Sequence, residues 1–321
     1  MRTDGVSFDP PMNLAVHMED VPSLTERIPF DRPDAGFDER WHGVKAPRST
    51  IKDDRSDGSG FPMTREPSLI AIDSTNFHAL PCCGIKCRTH PGRQQKACWL
   101  EANAKFGLRA KTLLAPDGQP GGYIEYLPGE FAWRGVEAAG YMFIHCIWIY
   151  SRRHQRQGWG RFMIEACLKD ARSAGMRGVA VMVRDGPWLA GRRLFLANAF
   201  EPVDTAPPDY QLLVRKFHRT AANPAFRKGW EQKLARYGRG LTIIRSSQCP
   251  HIAKFASDIA QAAAEDYQIS PTVVDLESWQ DAQNAPTPYA VFSLIYNGRL
   301  LADHQISRTR FRNIMSKLPG K

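Results

Sequence analysis

Two hydrophobic periods alternate along the chain after residue 66 and predict a mixed α/β fold. Short apolar runs are typical of strands, and apolar residues three or four positions apart are typical of helices. Their order predicts a mixed sheet with helices on both faces. The predicted strands cover residues 69–72, 108–114, 121–126, 141–150, 178–183, 200–203 and 210–217, and two predicted helices cover residues 92–106 and 189–199.

A further helix is predicted directly after Gly160, because its apolar residues repeat with a helical period and Gly175 supplies a stop signal. Each of these amphipathic helices should turn its apolar residues towards the sheet. The expected inward residues are Ala97, Trp99, Leu100 and Ala104 in the first helix, and Phe162, Met163, Ala166, Cys167, Ala171 and Ala174 in the helix after Gly160.

The C-terminal third has its own pattern. A basic helical linker is predicted over residues 218–238, and a strand, a helix, a hairpin and a final helix follow it. The hairpin turns at Asn297-Gly298, a strong signal for a two-residue turn. This order resembles a thioredoxin-like domain, in which Thr287-Pro288 stands where that fold usually has its cis-proline. The predicted segments are 241–245, 250–264, 290–296, 300–305 and 309–317.

Composition separates the first 65 residues from the rest. A chain of 321 residues with a 43% hydrophobic share is long enough for two domains with cores. Residues 1–65 are instead rich in Pro, Asp, Arg and Gly and show no sustained period. That composition predicts a mostly disordered N-terminal extension.

Charge and cysteine content limit the partners and the compartment. The net charge of +10 favours acidic partners, but the basic residues are scattered, a pattern that does not favour nucleic acid. No apolar run is long enough to span a membrane, and the N-terminus has no apolar signal region. Seven cysteines without a secreted spacing indicate reduced thiols, so we expect a cytoplasmic protein.

The stretch from residue 147 to 160 carries the strongest chemical signal. An apolar run stops at Tyr150, a basic turn follows, and a helix then begins. Gln155, Gln157, Gly158 and Gly160 stand in the order Q-x-x-G-x-G. Exposed amides at a helix start attract anions, and glycine lets a phosphate approach the backbone. This turn therefore predicts a diphosphate site.

Together with this motif, the chain from about residue 66 to 321 resembles the GCN5-related N-acetyltransferases, and in particular the YoaP-type acetyltransferases. The resemblance implies a GNAT fold followed by a second, smaller thioredoxin-like α/β domain. It implies an acetyltransferase domain over residues 66–220, a linker over 221–239 and a YoaP-like domain over 240–321. The other residues that carry it are Pro81-Cys82-Cys83-Gly84, Tyr123-Ile124-Glu125-Tyr126, Ala132-Trp133, the strand 141–148, Phe195 to Phe200, Ala206-Pro207-Pro208 and Gln248-Cys249-Pro250.

The resemblance also implies acetyl-CoA as co-substrate and an amine acceptor, either a small molecule or a peptide. The acetyl group would pass by direct attack in a ternary complex. Glu125, Glu130 and His145 are candidate bases, whereas Leu196 stands where many relatives have a tyrosine acid. The residues expected to hold the cofactor are Ile147, Trp148, Ile149, Gln155, Arg156, Gln157, Gly158, Trp159 and Gly160.

The cysteines leave a second class of function open. Cys82, Cys83, Cys87 and Cys98 have the spacing C-C-x3-C-x10-C, which does not match the usual paired zinc knuckles, and no metal site is predicted from it. Cys249 stands before Pro250 at a helix start, without the partner cysteine of a CxxC pair. The alternative is a thiol- or metal-responsive binding protein on an acetyltransferase fold that has lost its chemistry.

Overall fold

The computed structural model describes residues 66–85 and 89–318, and it leaves the side chain of Arg153 undescribed. The predicted disordered extension over residues 1–65 and the cysteine at position 87 lie outside these residues. Among the described residues, no helix combines the length and the apolar character needed to cross a membrane.

The order of elements confirms the mixed α/β class. The strands are β1 (Ser68–Ile72), β2 (Arg109–Leu114), β3 (Pro120–Pro128), β4 (Val136–Glu137), β5 (Met142–Ile149), β6 (Gly178–Val183), β7 (Glu201–Ala206), β8 (Tyr210–Lys216), β9 (Ala225–Phe226), β10 (Leu241–Arg245), β11 (Thr272–Asp275), β12 (Phe292–Tyr296) and β13 (Arg299–Ala302). The helices are α1 (Pro91–Ala104), α2 (Trp159–Ser173), α3 (Arg192–Leu196), α4 (Trp230–Leu234), α5 (Ile252–Tyr267), α6 (Trp279–Asn284) and α7 (Arg308–Met315).

The larger sheet has seven strands in the order β1-β2-β3-β5-β6-β8-β7. Its neighbours are antiparallel except for β5 and β6, which run parallel. A parallel pair needs a crossover, and α2 supplies it between β5 and β6. The unbroken apolar sequence of β6 is buried along its whole length, as expected for a central strand.

Helix α2 lies on one face of this sheet, and the stripe that it buries differs from the predicted one. Met163, Cys167 and Ala171 are buried as expected, and Trp159, Ile164 and Leu168 join them. Phe162 is 39% exposed, and Ala174 follows the helix at the surface. The stripe is therefore rotated by about one position, because Trp159 and Leu168 bury more apolar area than the alanines do.

Helix α1 buries Trp99 and partly buries Ala97 and Leu100 as expected, but it also buries polar residues that were not predicted to face inward. Its buried residues include Arg93, Lys96, Trp99 and Asn103, whereas Ala104 is exposed. Arg93 donates to the carbonyls of Phe77, Leu80 and Ile85 and so holds the loop before α1. A buried charge on a helix face requires such partners.

Two predicted helices are shorter than their patterns suggested. The helix expected over residues 189–199 is reduced to α3, which follows Trp188 at φ +71° and ends before Ala199 at φ +59°. Positive φ values interrupt a right-handed helix at both ends. The linker predicted as helical contains the short strand β9, which pairs with β4, then α4 and a 3-10 turn over Ala235–Tyr237.

The C-terminal segment, residues 241–318, forms a four-stranded sheet in the order β11-β10-β12-β13. The predicted hairpin at Asn297-Gly298 is present, with both residues at positive φ as a type I′ turn requires. The strand β11 and the helix α6 were not predicted. Thr287-Pro288 is not cis, since the cis peptide bond of the described residues is Pro207-Pro208.

The C-terminal segment packs on the face of the larger sheet opposite α2. One apolar core joins Leu127, Phe143 and Leu212 of the larger sheet to Ile243 and Phe292 of the smaller one. A salt bridge crosses the same contact, since Arg184 lies 3.0 Å from the Asp303 carboxylate. Tyr210 also donates to Asp303 at 2.9 Å. The two sheets are therefore held by apolar packing and by a half-buried polar cluster.

We expect Asp303→Asn to lower the free energy of unfolding by about 2 kcal/mol, because it weakens the ion pair with Arg184 and the hydrogen bond from Tyr210. Asp275→Asn is the matched control, since the Asp275 side chain is 57% exposed in its pair with Arg245 and should change stability by less than about 1 kcal/mol. Urea unfolding of both variants measures the difference. Equal losses would contradict a role for Asp303 in holding the sheets.

We expect acid to remove the stability that the Asp303 carboxylate contributes. Burial opposes the charge of Asp303, but His304 and Arg184 outweigh it and lower the pKa of this carboxyl from 3.8 to about 2. A depressed folded-state pKa adds stability above the unfolded pKa and loses it as pH falls through the folded value. We expect the wild type to lose about 2 kcal/mol more than Asp303→Asn between about pH 5 and pH 2. Urea titrations across this range measure the loss, and parallel curves would refute it.

Candidate active site

Strand β5 has an irregularity at its centre. Glu125 of β3 pairs with Cys146, but the next residue, Tyr126, pairs with Ile144, so His145 is an extra residue on β5. Such a bulge bends the strand and re-aims its side chains and amides. On its other side, β5 pairs with β6 only from Met142 to Ile144. The two parallel strands therefore part at the bulge and leave a cleft along the second half of β5.

The imidazole and the carbonyl of His145 are both held in place. The Trp133 backbone N–H donates to Nε2 of His145 at 2.9 Å. Arg134 donates to the His145 carbonyl at 3.4 Å and to the Trp133 carbonyl at 2.8 Å. The loop after β3 thus fixes the bulge through side-chain and main-chain contacts.

Behind the bulge, Glu125 forms a fully buried ion pair with Lys96. Lys96 Nζ lies 2.5 Å from Oε2 of Glu125 and 2.5 Å from the carbonyl oxygen of Gln248. Tyr123 Oη also donates to Oε2 at 2.5 Å, and Gln248 Nε2 donates to Oε1 at 2.9 Å. Burial opposes the charge on Lys96, but Glu125 outweighs it and raises the pKa of the amine. Partners on every side make this buried charge tolerable.

The same environment keeps His145 neutral. Burial, Arg134 and Lys96 together hold the pKa of its imidazole well below the usual value. Because Nε2 accepts a hydrogen bond, the proton of the neutral ring belongs on Nδ1. Nδ1 lies 3.7 Å from Oε1 of Glu125, beyond hydrogen-bond distance. The bulge thus holds a buried imidazole N–H that points towards a carboxylate without contacting it.

The Q-x-x-G-x-G turn is exposed. The side chains of Gln155, Arg156 and Gln157 lie at the surface, and Gly158 at φ +80° is followed at once by α2. A Cβ placed on Gly158 would meet no atom within 4 Å. The first amides of α2 have no carbonyl of their own helix to donate to. The turn therefore presents an open, electropositive helix start, as the sequence predicted.

Trp159 and Gly160 of this motif also contribute to packing. The Trp159 ring is buried and lies against Gly121, where an added Cβ would come within 2.7 Å of it. A Cβ on Gly160 would come within 2.9 Å of Leu194 in α3. The backbone of Trp159 therefore belongs to the turn, and its side chain packs in the core. Gly160 is needed because α3 packs closely on α2.

A surface pocket lies beside this turn. Ala115, Pro116 and Asp117 from the β2–β3 turn line it together with His154, Gln157 and Trp159. The His154 and Trp159 rings stack at a tilt, with their centroids 4.6 Å apart. A planar group at the surface would meet aromatic and polar atoms here.

The other predicted site residues lie in different places. Glu130 accepts from the Gly140 amide at 2.8 Å, near the paired Pro128 and Met142 at the start of β5. It is exposed and lies at the end of β5 remote from the Q-x-x-G-x-G turn. Leu196, at the tyrosine position, is 45% exposed. The structure thus brings Glu125 and His145 together and leaves Glu130 apart.

Along β5, the three residues expected to meet the cofactor differ in exposure. Ile147 is buried in the core under α2, whereas Trp148 is 48% exposed and Ile149 is half-buried. All three follow the last β5–β6 pair, so their backbone borders the cleft. Ile147 can therefore contribute its main chain there, and Trp148 can also contribute its ring.

The cysteines near the N-terminus of α1 do not come together in one cluster. Cys82 is fully buried, and burial raises the pKa of its thiol to about 11, while Cys98 is exposed on α1. Cys83 instead lies 3.5 Å, sulfur to sulfur, from Cys146 on β5. Among residues 66–85 and 89–318, no group of three or more His, Cys, Asp or Glu side chains is arranged to hold a metal ion.

Sequence reasoning missed Lys96 and Gln248, the residues that surround Glu125. Lys96 was not among the expected inward residues of the first helix, and Gln248 lies 123 positions from Glu125 in the chain. The available signal was spacing, because Arg93, Lys96, Trp99 and Asn103 recur at three to four positions. Polar residues on the same helix face as a tryptophan indicate a buried hydrogen-bond network.

Comparisons with known proteins agree with this architecture. Residues 272–313 match the YoaP-like family. The chain is 27% identical over 247 residues to the uncharacterized N-acetyltransferase YoaP of Bacillus subtilis, covering 74% of this chain and 93% of that protein.

Solved structures also match, all with low similarity. The structure of yncA from Salmonella typhimurium with its cofactor acetyl-CoA is 16% identical, with a TM-score of 0.38, over 49% of this chain and 98% of that one. The ribosomal-protein-alanine N-acetyltransferase of Brucella melitensis is 15% identical, with a TM-score of 0.35, over 47% and 99%.

The match to YoaP extends over most of the chain, and the match to the YoaP-like family lies within the C-terminal segment. By sequence, the chain is accordingly similar to the N-acetyltransferase YoaP and, within its C-terminal segment, to the YoaP-like family.

Proposed function

We propose that the protein transfers an acetyl group from acetyl-CoA to an amine by direct attack in a ternary complex. The observation that carries the proposal is the juxtaposition of an open Q-x-x-G-x-G turn with strands that part at a bulge. The name of the Bacillus subtilis relative, an N-acetyltransferase, supports the same reaction.

The turn suits the diphosphate of coenzyme A. Amides at the start of α2 and the helix dipole favour negative charge there. Gly158 leaves open space above the backbone, and the exposed Arg156 adds a full positive charge. We therefore assign Gln155, Arg156, Gln157, Gly158 and the backbone of Trp159 and Gly160 to the diphosphate.

The cleft along β5 suits the thioester arm. Beyond Ile144 the β6 side of β5 has no strand partner among the described residues, so main-chain groups of Ile147, Trp148 and Ile149 can bind an extended ligand. Amides re-aimed by the bulge can stabilise the oxyanion that develops during attack, because fixed dipoles need no reorganisation. We therefore expect the reacting carbonyl to bind near Cys146, the residue that follows the bulge.

The attacking amine must lose a proton. Glu125 and His145 are the candidate groups at the bulge, and we propose that they act there while Glu130 holds the start of β5. Glu125 lies between Lys96 and the imidazole N–H. Movement of a proton between His145 and Glu125 would need only a small shift, since Nδ1 and Oε1 are 3.7 Å apart. Contact with the amine then requires the bulge to open or a water to intervene.

Gly158→Glu tests the diphosphate assignment. The carboxylate would enter the open space at the helix start and repel the diphosphate, so we expect acetyl-CoA binding to be lost in calorimetry. Gly175→Glu is the matched control, because Gly175 also has positive φ with no atom within 4 Å of an added Cβ but follows the other end of α2. It should bind acetyl-CoA like the wild type. Equal affinities in the two variants would refute the assignment.

Glu125→Gln tests the proton role. We expect kcat to fall by about 100-fold or more with little change in the KM for acetyl-CoA, because the buried base is lost. Glu130→Gln should leave kcat within a few-fold of the wild type. The measurement is acetyl-CoA-dependent thiol release with a panel of amines, amino acids and peptides.

Glu125→Gln leaves Lys96 without its counter-ion and can therefore lower stability by about 3–5 kcal/mol. The double variant Lys96→Met with Glu125→Leu replaces the pair by apolar side chains and should recover part of that stability. It should remain inactive. Recovery of acetyl transfer in the folded double variant would show that Glu125 does no chemistry.

A further inference from the structure

The half-buried cysteines around the cleft meet in a way that the acetyl transfer does not use. Cys83 comes from the loop before α1, Cys146 from β5 and Cys249 from the C-terminal segment. The Cys83 and Cys146 sulfurs are 3.5 Å apart. The Cys249 thiol lies near enough to influence the pKa of the Cys83 thiol, and the reverse also holds. Three parts of the fold thus bring their thiols to one place, with Cys83 in the centre.

The backbone of Cys83 is unusual. Cys83 and Gly84 have φ values of +48° and +80°, and the Ile85 amide donates to the Cys82 carbonyl at 3.0 Å. This is a tight turn in which the left-handed region suits glycine but costs energy for cysteine. A strained non-glycine residue persists when its surroundings hold it, and such residues cluster at functional sites.

The surroundings of the turn fix the direction of the Cys83 side chain. An added Cβ on Gly84 would lie 3.8–3.9 Å from Trp148 and Tyr150, so the turn covers the second half of β5. His251 of the C-terminal segment contacts the Cys83 carbonyl at 3.2 Å from the other side. The turn is therefore clamped between β5 and the C-terminal segment, and the Cys83–Cys146 contact is a consequence of that clamp.

We propose that Cys83 and Cys146 form an oxidative modification site, which a peroxide converts to a disulfide. In the first step, peroxide oxidises one thiol to a sulfenic acid and is itself reduced to water. In the second step the other thiol attacks the sulfenic sulfur, the S–S bond forms, and a second water leaves. Two thiols and one hydrogen peroxide thus give one disulfide and two waters, a two-electron oxidation.

The two sulfurs are close enough to form a disulfide with little movement of the backbone. The sulfurs need to move from 3.5 Å to a bond length of about 2 Å, a change that side-chain rotation and a small shift of the turn can supply. The bond would tie the turn to β5 beside the bulge. The hydrogen bond that joins Cys83 to Cys146 is the largest cause that holds the pKa of the Cys83 thiol well above its usual value. Because the thiolate is the reactive form, oxidation should be followed at about pH 8.5 or above.

The test maps disulfides in the full-length chain. The reduced protein is treated with hydrogen peroxide, its remaining thiols are alkylated, and tryptic peptides are analysed by mass spectrometry without reduction. We expect the major crosslink to join the peptide of residues 66–86 to the peptide of residues 135–152, which carries Cys146. Dithiothreitol should remove it. No such crosslink, or a major crosslink from 66–86 to the Cys249 peptide of residues 246–254, would overturn the proposal.

The peptide of residues 66–86 contains both Cys82 and Cys83, so the crosslink alone does not tell which of them is bonded. Serine variants of the single cysteines identify the two sulfurs that form the bond. The crosslink should be lost in Cys83→Ser and in Cys146→Ser and kept in Cys82→Ser and in Cys98→Ser. Circular dichroism checks that each variant is folded. A crosslink that survives in folded Cys83→Ser would assign the site to Cys82 and refute the pairing. This readout does not depend on acetyl transfer.

Discussion

The buried ion pair between Lys96 and Glu125 is the interaction on which the arrangement of this protein depends. Lys96 belongs to α1, Glu125 to β3, and the carbonyl and amide of Gln248 complete the cluster from the C-terminal segment. A buried charge left without a partner is expensive, so each of these elements must keep its position relative to the others. The bulge of β5 lies directly against this cluster, since Cys146 pairs with Glu125.

Through Gln248, the C-terminal segment takes part in the buried cluster around Glu125. Gln248 contacts Glu125 and Arg134, and Arg134 in turn holds the His145 carbonyl. The segment therefore supports the bulge from behind, while the Q-x-x-G-x-G turn lies beyond the far end of β5. Hydrogen bonds thus link the C-terminal segment to the bulge, in addition to the apolar core that the two sheets share.

The glycines of the turn show that one motif can meet two requirements. Gly158 gives an open approach to the backbone, whereas Gly160 permits Leu194 of α3 to pack on α2. Trp159 likewise buries its ring against Gly121 while its amide begins the helix. An open helix start and close helix packing thus depend on neighbouring glycines, and a substitution at either glycine has to be interpreted with the other requirement in mind.

The sequence by itself determined the mixed α/β class, most strands of both sheets, the hairpin at Asn297-Gly298 and the strand–turn–helix at Gly158. Local hydrophobic period and turn chemistry carry that information, because they act within a few residues. Only the tertiary structure decided which polar residues are buried together. Lys96, Glu125 and Gln248 meet although up to 152 positions separate them, and Cys83 meets Cys146 across 63. Contacts over such separations depend on how the sheets pack, and no local period of a single sequence records that packing.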